Sequence, residues 1–234
     1  MKKLEGRTAL ITGANRGIGL GIAKLFAQEG AHLILAGRNK EALDKAAKEL
    51  GNASVLTMDL DQPDSIRAAT AKVPKLDILV ASASVLGARK PIAEYPFDVW
   101  VQTFQANVHA NLLLLQGLDA ALRKSDAGRI VIVSTGVARA AKAGSGSYAI
   151  SKAALEMMAM VYAQEVAGTP IRINMVNPGP TRTAMRAQVM PNEDPMTLKT
   201  PEDIAPLFLE LAAPSCTRQA ELISADAWLK EARK

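Results

Sequence analysis

Seven short apolar runs separated by stretches of helical length predict a doubly wound α/β fold, with helices on both faces of a mainly parallel, seven-stranded sheet. Three observations carry this expectation. The runs are apolar at consecutive positions, so both faces of each strand call for cover. Helical patterns return between them, as parallel strands require a long crossover. A glycine-rich turn, "TGANRGIG" (12–19), joins the first run to the first helix.

The runs are "TALIT" (8–12), "HLILA" (32–36), "SVLTM" (54–58), "LDILVAS" (76–82), "RIVIVS" (129–134), "IRINMVN" (171–177) and "ELISA" (221–225). After the first, "GIGLGIAKLFAQEG" reads as a helix closed by Gly30; after the second, "NKEALDKAAKELG" reads as one closed by Gly51. Glycine is a common helix stop because it turns the chain without steric conflict. The longest helical stretch, 96–124, is apolar around much of its circumference at "NLLLLQGL", and 147–167 repeats this with Met157, Met158, Met160 and Val161. Such surfaces need cover from two sides, supplied either within the chain or by a second subunit of a homodimer or homotetramer. Segment 180–200, with Met185, Met190, Met196 and three prolines, fits no strand and is expected to be a mobile substrate flap.

The 234 residues suit one domain spanning 1–234. With 49% hydrophobic and 22% charged residues the chain can pack a core and stay soluble, and no apolar run approaches the roughly 20 residues of a membrane span. Glu5, Gly6 and Arg7 interrupt any signal-peptide core, so a cytoplasmic protein with no membrane association is expected. A lone cysteine, Cys216, excludes an internal disulfide and a multi-cysteine zinc site; it reads as a small, buried or half-buried thiol, and no metal is expected. The net charge of +5 is spread without a dense basic stripe, so nucleic acid is not an expected partner and an anionic cofactor explains the excess equally well.

Within the glycine turn, Gly13, Gly17 and Gly19 permit a tight bend and close backbone approach, while the following helix offers unpaired N–H groups and its positive end to a pyrophosphate. A second feature is "GSGSYAISKAA" (144–154), which holds Tyr148 and Lys152 four residues apart, on one face of a helix. Tyr and Lys at this interval are common in any protein. A phenol near pKa 10 is nevertheless a poor proton donor at pH 7, and an ammonium about 6 Å away would favour its ionisation by roughly 2.8 kcal/mol at an effective dielectric near 20, about two pK units.

Together, T-G-x-x-x-G-I-G near the start, with Ile18 between its last glycines, and Tyr-x-x-x-Lys at 148–152 resemble the short-chain dehydrogenase/reductase family, and in particular its bacterial 3-oxoacyl reductase-like members. The resemblance runs over most of the chain. It implies a Rossmann-type enzyme binding NAD(H) or NADP(H), in which Tyr148 is the acid/base and Lys152 also binds the nicotinamide ribose. It further implies a carbonyl-orienting hydroxyl thirteen residues before the tyrosine, where this chain has Thr135 in place of serine, with Ser134 beside it as the substitute. Asn107, 28 residues before Thr135, matches the asparagine that kinks a helix and holds a relay water; nearby His109 reads as packing or surface. "NPGPTRTAMR" (177–186) matches the element in which Pro178, Gly179 and Thr181 close over the nicotinamide and Thr183 reaches the pyrophosphate; Asp59 and Leu60 match the pair bordering the adenine.

Cofactor choice follows from charge: the second strand ends "LAGRNK", with Gly37 where NAD-specific relatives carry an acid, and Arg38 and Arg16 offer cations to a 2′-phosphate. NADP is expected in preference to NAD. Two departures bear on activity. "ASAS" (81–84) replaces the family's N-N-A-G, and "TRQAELISADAW" replaces its usual C-terminal element. The chain is therefore expected to be an oxidoreductase moving a hydride between the nicotinamide and a small-molecule carbonyl or secondary alcohol, with a catalytically weak or inactive NADP-binding sensor or scaffold as the alternative.

Overall fold

A computed structural model describes residues 2–232. The strands are β1 (Thr8–Thr12), β2 (His32–Gly37), β3 (Ala53–Thr57), β4 (Ile78–Ala81), β5 (Arg129–Val133), β6 (Arg172–Asn177) and β7 (Leu222–Ser224). The helices are α1 (Gly17–Gln28), α2 (Lys40–Leu50), α3 (Pro63–Thr70), α4 (Phe97–Phe104), α5 (Ala110–Leu122), α6 (Gly146–Glu165), α7 (Ala184–Val189), α8 (Pro201–Ala212) and α9 (Ala225–Ala232). All seven strands are parallel in the order β3-β2-β1-β4-β5-β6-β7, the doubly wound Rossmann-type arrangement expected from the sequence.

Alternation along the strands divides the core in two. Leu10, Leu79, Ala81, Ile130 and Ile132 face a layer with Ile66 of α3, Leu114 and Leu118 of α5 and Leu155 of α6. Their neighbours Ile11, Ile78, Val80, Val131 and Val133 face the opposite layer, with Ile22 and Phe26 of α1, Leu43 of α2 and Phe208 of α8. The two-residue period of a strand thus explains why these runs are apolar at every position.

Both early helix stops fall where expected. Gly51 closes α2, whose Asn39 side chain accepts from the Ala42 N–H at 2.9 Å, and the chain turns at Gly30 with φ +89°. The stretch 96–124 is interrupted: between α4 and α5 the chain makes a π-helical turn, Gln105–His109, centred on Asn107. The Asn107 side chain gives the reason, since it is drawn out of the helix to the main chain of Val85, donating to its carbonyl and accepting from its N–H, both at 2.9 Å. The sequence reading did not single out α3, α8 or α9. The helix α8 begins with a capping box, Thr200 and Asp203 each satisfying the other's N–H.

Segment 180–200 contains α7 and a short turn at Pro195–Thr197, and it is tied at its base by the Arg182 N–H donating to the Lys199 carbonyl at 2.8 Å. Within it, Arg186 grips Glu193 through two hydrogen bonds of 2.6 Å. Cys216 is half-buried and His109 is exposed, as expected. No helix of the described residues is long and apolar enough to cross a membrane.

The unusual stretch after β4 is braced by a different residue from the one it lacks. The hydroxyl of Thr12, at the end of β1, accepts from the main-chain N–H groups of Ser82 at 3.0 Å and Ala83 at 3.1 Å. Thr12 is only 2% exposed, so water cannot substitute. Thr12→Val keeps the shape and leaves two N–H groups without an acceptor; it should lower unfolding free energy by about 1–3 kcal/mol in a denaturant titration.

Candidate active site

A cleft of about 1180 Å³ opens beyond the carboxyl ends of the strands, where β1 and β4 diverge in chain order and their loops part. Its walls include Gly13, Arg16, Gly17, Ile18 and Gly19 from the first turn, Arg38, Asp59 and Leu60 beyond β2 and β3, and Thr135, Tyr148, Pro178, Gly179, Thr181 and Thr183 on the other side. The sequence-predicted site residues are thus brought together with two exceptions. Asn107 and Lys152, 0% and 1% exposed, lie buried rather than on the cleft wall.

The glycine turn is shaped for close approach. Gly13 (φ +67°) and Gly17 (φ +55°) occupy the left-handed region, and a Cβ on Gly19 would collide with the Gly13 carbonyl. Gly13 packs against Ala83, 3.1 Å from where its Cβ would stand, so the small residues of "ASAS" leave this approach open. Thr183 caps α7, accepting from the Arg186 N–H at 3.1 Å, and its methyl lies 3.4 Å from the position of a Cβ on Gly17. The loop before α7 therefore faces the start of α1, whose free N–H groups and positive end suit a pyrophosphate.

At the far end, Arg38 pairs with Asp61 at 3.0 Å and Asp59 at 3.8 Å, while Arg16 is exposed at the N-cap of α1. Asp59 is thus engaged with Arg38, beside the adenine position assigned to it. The Arg182 Nε is buried without a hydrogen-bond partner among the described residues and belongs to a side chain lining the cleft. These cations and the cradle fit a phosphorylated dinucleotide.

The catalytic candidates converge on the end of β5. The Thr135 hydroxyl faces the Tyr148 phenol, near enough to favour its ionised form. Ser134, the alternative, is 1% exposed and turns its hydroxyl the other way, onto Glu156 of α6. Successive residues of an extended chain point to opposite sides, so only one of the two can meet the phenol. Asn107 donates to the Ser151 hydroxyl at 3.0 Å as well as to Val85, and its own carbonyl accepts from the Asn111 side chain at 2.9 Å.

One expectation needs correcting. The lysine was expected to draw the phenol's pKa down, yet burial pushes the Tyr148 phenol up, and the Thr135 hydroxyl opposes this only in part. The ammonium of Lys152 donates instead to the Val133 carbonyl at 2.8 Å. Burial pulls the lysine itself down to about 8, against the attraction of Glu156.

Two further groups escaped the sequence reading. Tyr95 accepts from the Ala88 N–H at 2.7 Å, donates to the Ala88 carbonyl at 3.0 Å and meets the Ser147 hydroxyl at 2.7 Å, joining the loop after β4 to the residue before Tyr148. Glu156 carried a signal, a carboxylate on an apolar helix four residues beyond the lysine, that went unread. Of the three flap methionines, Met185 and Met190 line the cleft; Met196 is 71% exposed and does not.

The comparisons accord with this geometry. The model of the short chain dehydrogenase family matches residues 7–194. The Escherichia coli oxidoreductase YciK is 40% identical over 227 residues, covering 92% of this chain and 90% of its own. An Arabidopsis thaliana protein described as an NADPH-dependent aldehyde reductase-like chloroplastic protein is 32% identical over 202 residues, 78% of this chain and 75% of its own. Among solved structures, a short chain dehydrogenase from Salmonella enterica serovar Typhi superposes with a TM-score of 0.93 at 38% identity, covering 96% of this chain and 97% of that one. Another from Escherichia coli, complexed with NADPH, gives 0.92 at 38% identity, over 96% and 98%. This chain belongs to the short-chain dehydrogenase family. The narrower likeness to 3-oxoacyl reductases is not drawn out by these relatives.

The buried lysine leads to a test of stability. Its folded pKa of about 8 lies below the ordinary 10.5, so below pH 8 the folded state carries the full cost of the buried charge. That cost is relieved between pH 8 and 10.5, where the unfolded chain binds more protons and stability rises with pH. Lys152→Met should therefore stabilise the cofactor-free protein at pH 7, by up to about 3 kcal/mol in a denaturant titration, with the advantage fading towards pH 10.5.

Proposed function

We propose that this chain is an NADP(H)-dependent oxidoreductase that transfers a hydride between the nicotinamide and a carbonyl or secondary alcohol. One observation carries the reading: the phenol of Tyr148 and the hydroxyl of Thr135 stand together on the wall of the same cleft that the glycine cradle lines. Bound NADPH would supply the hydride. The cation pair Arg16 and Arg38 supports a 2′-phosphate, as do relatives complexed with NADP and NADPH.

In the reductive direction Thr135 orients the carbonyl oxygen and Tyr148 donates its proton. A phenol raised by burial keeps that proton until substrate arrives, which suits the acid role. Lys152 holds the nicotinamide ribose after leaving the Val133 carbonyl, and supplies the positive charge that eases proton loss from the phenol. Asn107 holds Val85 and Ser151 in place, and its main-chain carbonyl, which accepts from the Asn111 amide, would hold the relay water. Pro178, Gly179 and Thr181 cover the nicotinamide, with 180–200 as the flap of one catalytic unit formed by the whole chain. The non-catalytic alternative, suggested by "ASAS" and by the missing serine, is less favoured, because "ASAS" is braced by Thr12 and leaves the cleft open, and Thr135 offers a hydroxyl on the cleft wall in the serine's place.

A homodimer or homotetramer also belongs to this reading. Val101 of α4, Leu112 of α5, and Ile150, Met157 and Val161 of α6 are each more than 40% exposed, while Leu114 and Leu118 of α5 are buried within the chain. Cover from both sides is what the sequence called for, and a second copy supplies the outer half.

Tyr148→Phe should lower turnover of a confirmed carbonyl substrate by about 10²–10⁴-fold while NADPH titrations remain unchanged. Full turnover in that variant overturns the assignment. Arg38→Ala should weaken NADPH binding by about 10-fold or more and leave NADH binding nearly as before, read by nucleotide fluorescence.

A further inference from the structure

Glu156 is a carboxylate buried to 3% exposure in the apolar layer beneath the active site, and the reaction outlined above gives it no task. Burying a carboxylate is costly unless hydrogen bonds and opposite charge replace water. Both are present. The Ser134 hydroxyl donates to Oε1, and the Arg139 Nε donates to Oε2 at 2.7 Å. Glu156 follows Lys152 by one helical turn on α6, so the two side chains share a face.

The end of β5 ties the cluster together. Val133 accepts from the Lys152 ammonium at 2.8 Å, Ser134 donates to Glu156, and Thr135 faces Tyr148. Three consecutive residues thus contact the lysine, the glutamate and the phenol in turn. Any shift of the strand end moves all three contacts.

We propose that Glu156 is a positioning residue for the reaction: its carboxylate, fixed by Ser134 and Arg139 one helical turn beyond Lys152, is the counter-charge to that buried ammonium and holds the strand end carrying Thr135 against Tyr148. The inference rests on the proposed roles of Tyr148 and Lys152. The surrounding charges favour it. The Arg139 side chain is 54% exposed and its field is screened by water, whereas the Glu156 side chain is 4% exposed and acts through the protein interior. On α6, Tyr148 and Glu156 flank Lys152 at one turn on either side, and Arg139, from the turn after β5, meets Glu156. Glu156 is the charge that acts to raise the lysine's pKa against burial.

Glu156→Gln keeps the shape and the Ser134 contact but removes the charge. The first readout is the Lys152 titration in the cofactor-free protein, followed by NMR of ¹³Cε-lysine and assigned with Lys152→Met. The expected midpoint is about 8 in the parent chain and roughly half a pH unit or more lower in Glu156→Gln. The second readout is the pH profile of kcat/KM, whose alkaline limb should move in the same sense, with Glu156→Asp restoring the parent position. A midpoint or limb that stays put in Glu156→Gln overturns the proposal. Should Glu156→Gln fail to fold, Ser134→Ala, which frees the carboxylate from the strand end, decides: a kcat/KM severalfold below the parent with NADPH titrations unchanged supports the proposal, and an unchanged kcat/KM overturns it. Because the titration needs no turnover, its result is independent of the Tyr148→Phe test.

Discussion

The ammonium of Lys152, enclosed in the protein and resting on the Val133 carbonyl, is the contact on which the arrangement of this site depends. A lysine without water is destabilising unless something answers its charge, and burial here is severe enough to bring it within reach of neutral pH. That destabilisation is what a functional group retained against the interest of the fold looks like. It also organises its surroundings. The carbonyl that holds the lysine belongs to the strand end that presents Thr135 to the phenol, and the next turn of the same helix brings a carboxylate to the cluster.

The parallel sheet makes this convergence possible. Every strand delivers its carboxyl end to the same edge, and the reversal of strand order at β1 and β4 parts the loops there. The glycine turn after β1, the cations beyond β2 and the hydroxyl after β5 come from distant parts of the chain, yet they open onto one cleft. The layers above and below the sheet are dry and apolar, so the polar groups collected at this edge act on one another with little screening.

The loop after β4 shows how a fold absorbs an unfavourable substitution. Ala81 has no side chain with which to brace neighbouring strands, and the backbone there could have lost its partners. Thr12 from β1 and Asn107 from the π-helical turn take up the N–H groups of Ser82, Ala83 and Val85 instead. Buried donors need an acceptor but not a particular one, and here two neighbouring elements supply it. Asn107 acts in two places through this exchange, since the same amide donates to the serine preceding Lys152.

The sequence by itself determined the sheet and the glycine cradle, because strand runs and glycine turns are local properties of the chain. It pointed to the tyrosine and lysine only through their likeness to a family motif, since their spacing alone is common, and it left two adjacent hydroxyls, Ser134 and Thr135, as candidates. Only the tertiary structure separates these two, because it turns Ser134 onto the glutamate beneath the end of β5 and leaves Thr135 facing the phenol. The same holds for the phenol, whose pKa was expected to fall and instead rises. Burial and the competing claim of the Val133 carbonyl on the ammonium are sums over neighbours from several elements, and no local spacing in a sequence contains them.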